Sequence, residues 1–316
     1  RIRPMSEEFN TPMMKQYLAI KAEYSDCILF FRMGDFYEMF LEDAEIASKV
    51  LDITLTSRDK GPEKKIMMAG VPFHAADSYI AKMVSAGYKV AIAEQVSDPK
   101  LPGLTERKVV RIVTPGTQVD SGELDSRQSN YLCAITFEKD WMGLGIVDIS
   151  TGEFMSSQMK SGLEYKRLAD ELIRLNPSEV ILSPKLYDNV ELISFIVKYS
   201  KASVFVYRDW DRTVKKAGEY ILEKLGKPLS VWGMSEETDK LAIESAAALL
   251  GYLEYAQKKT KTSVTSLRKY QGEGEMYLDR STILNLEIFS TLRDGDRKGS
   301  LIDVLDQCLT PMGSRM

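Results

Sequence analysis

Phe36 and Glu38 stand two residues apart in Phe30-Phe31-Arg32-Met33-Gly34-Asp35-Phe36-Tyr37-Glu38-Met39-Phe40. The pair joins an aromatic face, which can stack on a nucleobase, to a carboxylate, which accepts hydrogen bonds. An exposed aromatic of this kind can act as a wedge in a base step. Two local structures fit the residues. After the apolar run from Cys27, Gly34-Asp35 favours a tight turn. A returning strand would then put Phe36, Glu38 and Phe40 on one face and Tyr37, Met39 and Leu41 on the other. Alternatively Asp35 is a helix N-cap and Glu38 closes a capping box. The local pattern leaves both open, and ordinary core packing of the aromatics competes with either.

Other chemistry is thinly provided. The single histidine, His74, follows a proline turn and cannot alone build a zinc-hydrolase site or most acid–base pairs. Cys27, Cys133 and Cys308 lie far apart, without the close spacing of a zinc or redox motif. No G-x-x-x-x-G-K-[ST] run occurs, so these residues do not form a P-loop. Asp148 falls in a strand-like run where RNase H-like nucleases carry an acid. Metal-dependent cleavage needs several clustered carboxylates, and no partners stand out, which favours a structural acid.

Two basic clusters accompany the aromatic stretch: Arg58, Lys60, Lys64 and Lys65, then Arg107, Lys108 and Arg111. Clusters like these are usually solvated surface; beside a nucleic-acid site they would reach phosphates. The net charge of −4 does not describe a generic polyanion binder. Acid and base are balanced through residue 118 (16 of each), so the excess acid lies downstream, 30 against 26. At 316 residues, with 44% hydrophobic and 28% charged content, about two domains can each bury a core. No apolar run approaches the ~20 residues of a membrane span, and Arg1-Ile2-Arg3-Pro4 lacks a signal-peptide h-region. A cytosolic or nuclear protein is expected.

The elements that must position the pair follow from periodicity. Thr11-Pro12 opens a helix, and residues 42–51 form another that buries Ala44, Ala47, Val50 and Leu51. Residues 52–56 alternate as a strand, and 57–65 read as a loop around Gly61-Pro62. A helix from Asp77 ends at Gly87, and 89–96 is a strand. This makes a small mixed α/β domain. The polar stretch 114–129 reads as a linker, its core at 119–129. Three strand-like runs (131–137, 142–149, 153–158) with short connections then imply an antiparallel meander. Helix and strand alternate next: 164–175, 179–182, 186–199 and 203–207, followed by helices at 211–225 and 237–257. This is an RNase H-like order. The remainder reads as helices, with Ser300 capping one, and the last residues resemble the start of another, as in a fragment.

Taken together, these blocks resemble the MutS family of DNA mismatch-repair proteins. The resemblance runs from Thr11-Pro12-Met13-Met14 through Arg32 to Glu38, Ala69-Gly70-Val71-Pro72-Phe73-His74-Ala75 and Gly87 to Ile92. It continues through Arg107 to Thr117, Asp148-Ile149-Ser150-Thr151-Gly152, Asn285-Leu286-Glu287, and Leu305-Asp306 to Arg315. It implies a mismatch-binding domain (8–118), a linker (119–129), an RNase H-like connector domain (130–259) and the beginning of a helical core domain (260–316).

The family's Phe-x-Glu motif falls on Phe36 and Glu38. The resemblance implies that Phe36 stacks on a mispaired or unpaired base from the minor groove of kinked DNA, while Glu38 hydrogen-bonds that base. Arg58, Lys65, Arg107 and Lys108 are candidate backbone contacts on charge and position alone. ATP and Mg2+ are implied for the full-length protein only, with no cofactor or metal held by these residues. Mismatched or looped duplex DNA, a homodimeric partner and a MutL-like repair factor docking on the connector are the implied partners. A prokaryotic member would be cytoplasmic and associated with the nucleoid, a eukaryotic one nuclear. Two rivals stand beside this reading: a MutS-like clamp on branched DNA, which the presence of Phe36 and Glu38 opposes, and a nuclease centred on Asp148.

Overall fold

The computed structural model describes residues 11–59, 65–97, 105–118, 129–162, 165–258, 264–270, 278 and 280–315. The fold is mixed α/β, with two six-stranded mixed sheets. The chain divides into two units, residues 1–121 with 254–261, and 122–253 with 262–316.

The first unit contains α1 (Pro12–Glu23), β1 (Cys27–Met33), β2 (Phe36–Phe40), α2 (Glu42–Leu51), β3 (Thr56–Asp59), β4 (Lys65–Pro72), α3 (Ala76–Ser85), β5 (Lys89–Gln95) and β6 (Arg107–Val113). Its sheet runs β3-β4-β2-β1-β5-β6. β1 and β2 form an antiparallel hairpin, and β1 pairs in parallel with β5. Side chains from alternate positions face opposite sides. Ile28, Phe30, Tyr37, Met39, Ala69, Val71 and Val90 pack under α2 and α3. Leu29, Phe31, Phe40, Ile66 and Ala91 face the other way, where Met14 and Tyr17 of α1 cover them.

Several expected elements are in place. Thr11 caps α1 with Pro12 in its first turn, and α2 spans residues 42–51 as read. The expected strand at 52–56 is displaced: Asp52 turns in the left-handed region to end α2, and pairing with β4 begins at Thr56 opposite Met68. Part of the expected 57–65 loop is therefore strand, while Lys60 and Lys64 lie outside the described residues. Pro72 ends β4, where a missing N–H is tolerated; the run before it is a continuous strand. Residues 107–113 form β6, an edge strand that the charge clusters concealed.

The second unit opens with the expected meander, β7 (Tyr131–Glu138), β8 (Trp141–Asp148) and β9 (Glu153–Lys160), all antiparallel. After α4 (Lys166–Leu175) come β10 (Glu179–Leu182), α5 (Pro184–Tyr187), α6 (Val190–Ser200) and β11 (Ser203–Val206). β10 joins β7 in parallel and β11 joins β10, giving β11-β10-β7-β8-β9-β12 with β12 at Arg268–Lys269. The helix expected at 186–199 is split because Asn189 caps α6 afresh. The one expected at 211–225 divides into α7 (Trp210–Val214) and α8 (Ala217–Leu225). One sheet face packs on α4 and α6 through Ile135, Leu144, Leu168 and Ile196. Against β8 lies α9 (Lys240–Gln257), so close that a Cβ at Gly143 would sit 2.2 Å from the Leu241 carbonyl oxygen. Beyond it are α10 (Arg280–Asn285), α11 (Leu301–Leu305), capped as expected by Ser300, and α12 (Pro311–Arg315).

Candidate nucleic-acid interface

The hairpin reading holds. β1 and β2 pair Met33 with Phe36, Arg32 with Tyr37 and Phe31 with Glu38. The two-residue loop is Gly34-Asp35, with Gly34 at φ 59 and Asp35 on the ordinary negative side, the pattern of a type II′ turn. The capping-box alternative is ruled out because Glu38 lies inside a strand paired on both sides. β2 is held from within. Met39 is fully buried and Tyr37 nearly so, both under α2 and α3, and burying such side chains stabilises by about 1.5–3 kcal/mol each. Tyr37 donates its hydroxyl to Glu94. Arg32 lies over both the Tyr37 ring and the Phe73 ring, at 5.5 and 3.7 Å. Leu41 does not share the anchoring face expected for it. At φ 58 its backbone breaks the alternation, and its side chain packs with Phe40 on the α1 side.

With its neighbours anchored, Phe36 is left 47% exposed, whereas Phe40 on the same face is buried under α1. Glu38, between them, is half-buried. Opposite Phe36 and Glu38 in β4 stand Pro72 and Gly70. Gly70 presents no side chain, so Phe36, Glu38, Met68, Gly70, Thr54 and Thr56 frame an open groove of about 610 Å³. The arrangement offers an aromatic surface, a carboxylate within reach of anything stacked on it, and space beside both.

The basic candidates separate. Arg107 is only 8% exposed and faces inward. Its guanidinium donates to the Arg32 carbonyl (2.6 Å), the Thr105 carbonyl (2.9 Å) and Gln16 Oε1 (3.2 Å), and lies 4.9 Å from the Phe31 ring centroid. Burial holds its pKa below the ordinary arginine value, opposed by the charge of Glu38. Arg107 thus braces β1 on the same sheet face as Glu38 and places a positive charge near that carboxylate. Lys108 is exposed and pairs with Glu106 at 2.9 Å; its cross-strand partner Glu94 binds Tyr37, so it sits on the sheet face opposite Glu38. The backbones of Arg58 and Lys65 lie opposite Ile66 and Asp59 in β3 and β4; their side chains lie outside the described residues. Sequence reasoning missed Gly70, whose only signal was a glycine inside an apolar run.

Asp148 is fully buried at the end of β8. One carboxylate oxygen accepts from the Asn130 amide (3.2 Å); the other accepts from the Ser150 amide (2.9 Å) and hydroxyl (2.6 Å). Its cross-strand neighbour Glu153 is engaged by Tyr131 and Arg268. Among the described residues no group of three or more His, Cys, Asp or Glu is placed to hold a metal ion. Asp148 ties the β8–β9 turn, as a structural acid does.

The fold and site define a class: a multidomain α/β chain whose first unit presents an aromatic–carboxylate pair just after the tight turn of a hairpin and whose second is RNase H-like. Profiles described as MutS domain I, domain II and domain III match residues 11–122, 130–268 and 281–316. The protein called DNA mismatch repair protein MutS in Acetivibrio thermocellus is 45% identical over 306 residues, 96% of this chain and 35% of that protein. Its namesake in Caldanaerobacter subterraneus is 45% identical over 307 residues, again 35% of its length. The one in Desulfatibacillum aliphaticivorans is 42% identical over 313 residues, 99% of this chain. The chain belongs to the MutS family. It spans about 35% of the length of these curated relatives.

Proposed function

We propose that this chain recognises mispaired or unpaired positions in duplex DNA as part of mismatch repair. The observation that carries the reading is the exposure of Phe36 beside Glu38 on a hairpin whose intervening side chain is core. A wedge entering the minor groove must unstack a base step, at a cost of a few kcal/mol that falls where pairing is already defective. The protein thereby reads deformability, settling where bending is cheap. Glu38 supplies discrimination: near phosphates a carboxylate is repelled, and it recovers that energy where a displaced base offers a donor or the acid itself takes a proton.

The same reading extends to the relatives' full length. The complete protein hydrolyses ATP with Mg2+ in a region other than these residues, which contain no P-loop sequence. It works as a homodimer and passes its signal to a MutL-like factor through the RNase H-like unit. Its relatives are bacterial proteins, and the reading extends to a cytoplasmic, nucleoid-associated location; among the described residues no helix is long and apolar enough to cross a membrane.

The test is fluorescence anisotropy of the full natural chain on matched duplex and on duplexes with one mismatch or one unpaired base. Phe36→Ala is expected to abolish the preference and to keep salt-sensitive background binding. Base–aromatic stacking is worth about 1–3 kcal/mol, so the ratio of affinities should fall by roughly fivefold to 150-fold. Undiminished discrimination in Phe36→Ala would sink the assignment.

A further inference from the structure

The β1–β2 ladder stops early. Its register runs from Met33↔Phe36 to Phe31↔Glu38 and goes no further, although both strands continue. Continued in register past Phe30 and Met39, the ladder would next bring Leu29 opposite Phe40. In an antiparallel ladder, alternate pairs exchange both main-chain bonds, and that alternation makes Leu29–Phe40 such a pair if Met33–Phe36 is one. Three of its four main-chain groups meet side chains instead. The Leu29 amide donates to Asp43 Oδ2 (3.0 Å). The Phe40 amide donates to Tyr17 Oη (3.3 Å), and the Phe40 carbonyl accepts from that hydroxyl (3.2 Å). Tyr17 Oη and Asp43 Oδ2 are 3.1 Å apart. Lys21 Nζ closes the cluster on Asp43 Oδ1 (2.8 Å) and the Cys27 carbonyl (2.5 Å).

A tyrosine from α1 and an aspartate from α2 are therefore inserted as a plug between the two strands. Both are almost wholly buried. A continuous ladder would satisfy the same main-chain groups without burying a carboxylate, which is costly even when paired. Directly after the plug, Leu41 adopts φ 58, a strained conformation for leucine. The plug also touches the recognition face. The Tyr17 ring meets Phe31 and Phe40 edge-on, with centroids 5.5 and 5.0 Å away. Phe31 is the cross-strand neighbour of Glu38 and carries the Arg107 guanidinium.

We propose that Tyr17 and Asp43, held by Lys21, are positioning residues for mismatch recognition: by wedging the base of β2 away from β1 they set the direction in which Phe36 and Glu38 project. The inference rests on the mismatch-recognition reading. Tyr17→Phe keeps the ring and removes the hydroxyl that grips Phe40. Val84→Ala, on the buried face of α3 and in a different core cluster from the plug, serves as a control for general destabilisation. Both go into the full natural chain, and thermal midpoints and affinities for matched and single-mismatch duplex are compared. The expected result is a mismatch preference at least fivefold lower in Tyr17→Phe, matched-duplex affinity within twofold of wild type, and an unchanged preference in Val84→Ala. Should Tyr17→Phe not fold, Asp43→Asn carries the same expectation, since it keeps the shape and removes the charge facing Lys21. A preference retained in the plug variant, or lost equally in Val84→Ala, overturns the inference alone. A wild type with no preference overturns the functional reading and the inference with it.

Discussion

Gly70 stands directly opposite Glu38 in the β2–β4 ladder, and a Cβ built on it would lie 3.7 Å from Glu38 Cγ and 3.8 Å from Phe36 Cδ1. Those are ordinary contact distances, so a methyl group fits. Anything longer must extend between the two functional side chains or into the groove beside them.

Gly70→Ala is therefore expected to fold with a stability change under about 1 kcal/mol and to keep most of the mismatch preference. Gly70→Leu is expected to remain folded, because the groove is open, while losing most of that preference. Thermal melts and anisotropy on paired duplexes separate the two effects. A Gly70→Leu variant that discriminates normally would mean the groove is not part of the reading surface.

Glu38 yields the opposite sign from a phosphate contact. Replacing it with glutamine removes a negative charge from the face proposed to meet DNA, so affinity for matched duplex should rise. The mismatch-to-matched ratio should narrow, because the penalty on ordinary duplex is gone. Binding curves at two salt concentrations check this, and unchanged affinities for both duplexes would refute the role.

Arg107 and Lys108 are adjacent in sequence but differ in environment. Neutralising a lysine that contacts phosphate lowers the salt dependence of binding by roughly 0.9 in log–log slope. Lys108 projects from the sheet face opposite Glu38, so Lys108→Ala is expected to leave that slope nearly unchanged. Arg107→Ala is expected to leave the slope unchanged and instead to lower the thermal midpoint, since it leaves the Arg32 and Thr105 carbonyls without their donor. Each such loss costs about 1–3 kcal/mol.

Local residues left a hairpin and a capped helix both open at residues 34–38, and pairing with β1 and β4 decides for the hairpin. What could be read there came from local signals: Gly34-Asp35 between apolar runs, and a period of two that separates Phe36 and Glu38 from Tyr37 and Met39. The meander at residues 131–160 was legible for the same reason. Arg107 was not. It shares its charge with Lys108, and what distinguishes it is the Arg32 carbonyl, 75 positions away in the chain. Tyr17 and Asp43 were equally hidden, since each reads as an ordinary helix residue until α1 and α2 are folded against the β1–β2 pair. The displaced strand at 52–56 shows the converse. Its alternation was genuine, yet the left-handed turn at Asp52 delays pairing until Thr56 meets Met68.

Tyr37 gives a pH dependence. Burial, reinforced by its hydrogen bond to Glu94 and that residue's charge and opposed by Arg32, pushes its hydroxyl up to about 12 from an ordinary value of 10.0. A raised folded value means the protonated form is favoured by folding. Its contribution to stability is fully present below pH 10 and is lost as pH rises toward 12. Tyr37→Phe should be less stable than wild type at neutral pH and should flatten the decline in this window, as followed by denaturant melts.

Asp148 decides between the structural acid and the nuclease centre. Its oxygens receive two main-chain amides and the Ser150 hydroxyl, and that hydroxyl also accepts from Arg315 at 2.6 Å. Asp148→Ala would strand these donors in a buried site, at a cost on the order of 3 kcal/mol or more. Asp148→Asn keeps one acceptor oxygen and should lose less. A structural acid predicts that stability follows the order wild type, Asn, Ala, with no magnesium-dependent cleavage of DNA by any of the three. A nuclease predicts cleavage in wild type that both variants lose at temperatures where they remain folded. Melting curves paired with a cleavage assay at one such temperature give each reading a distinct outcome.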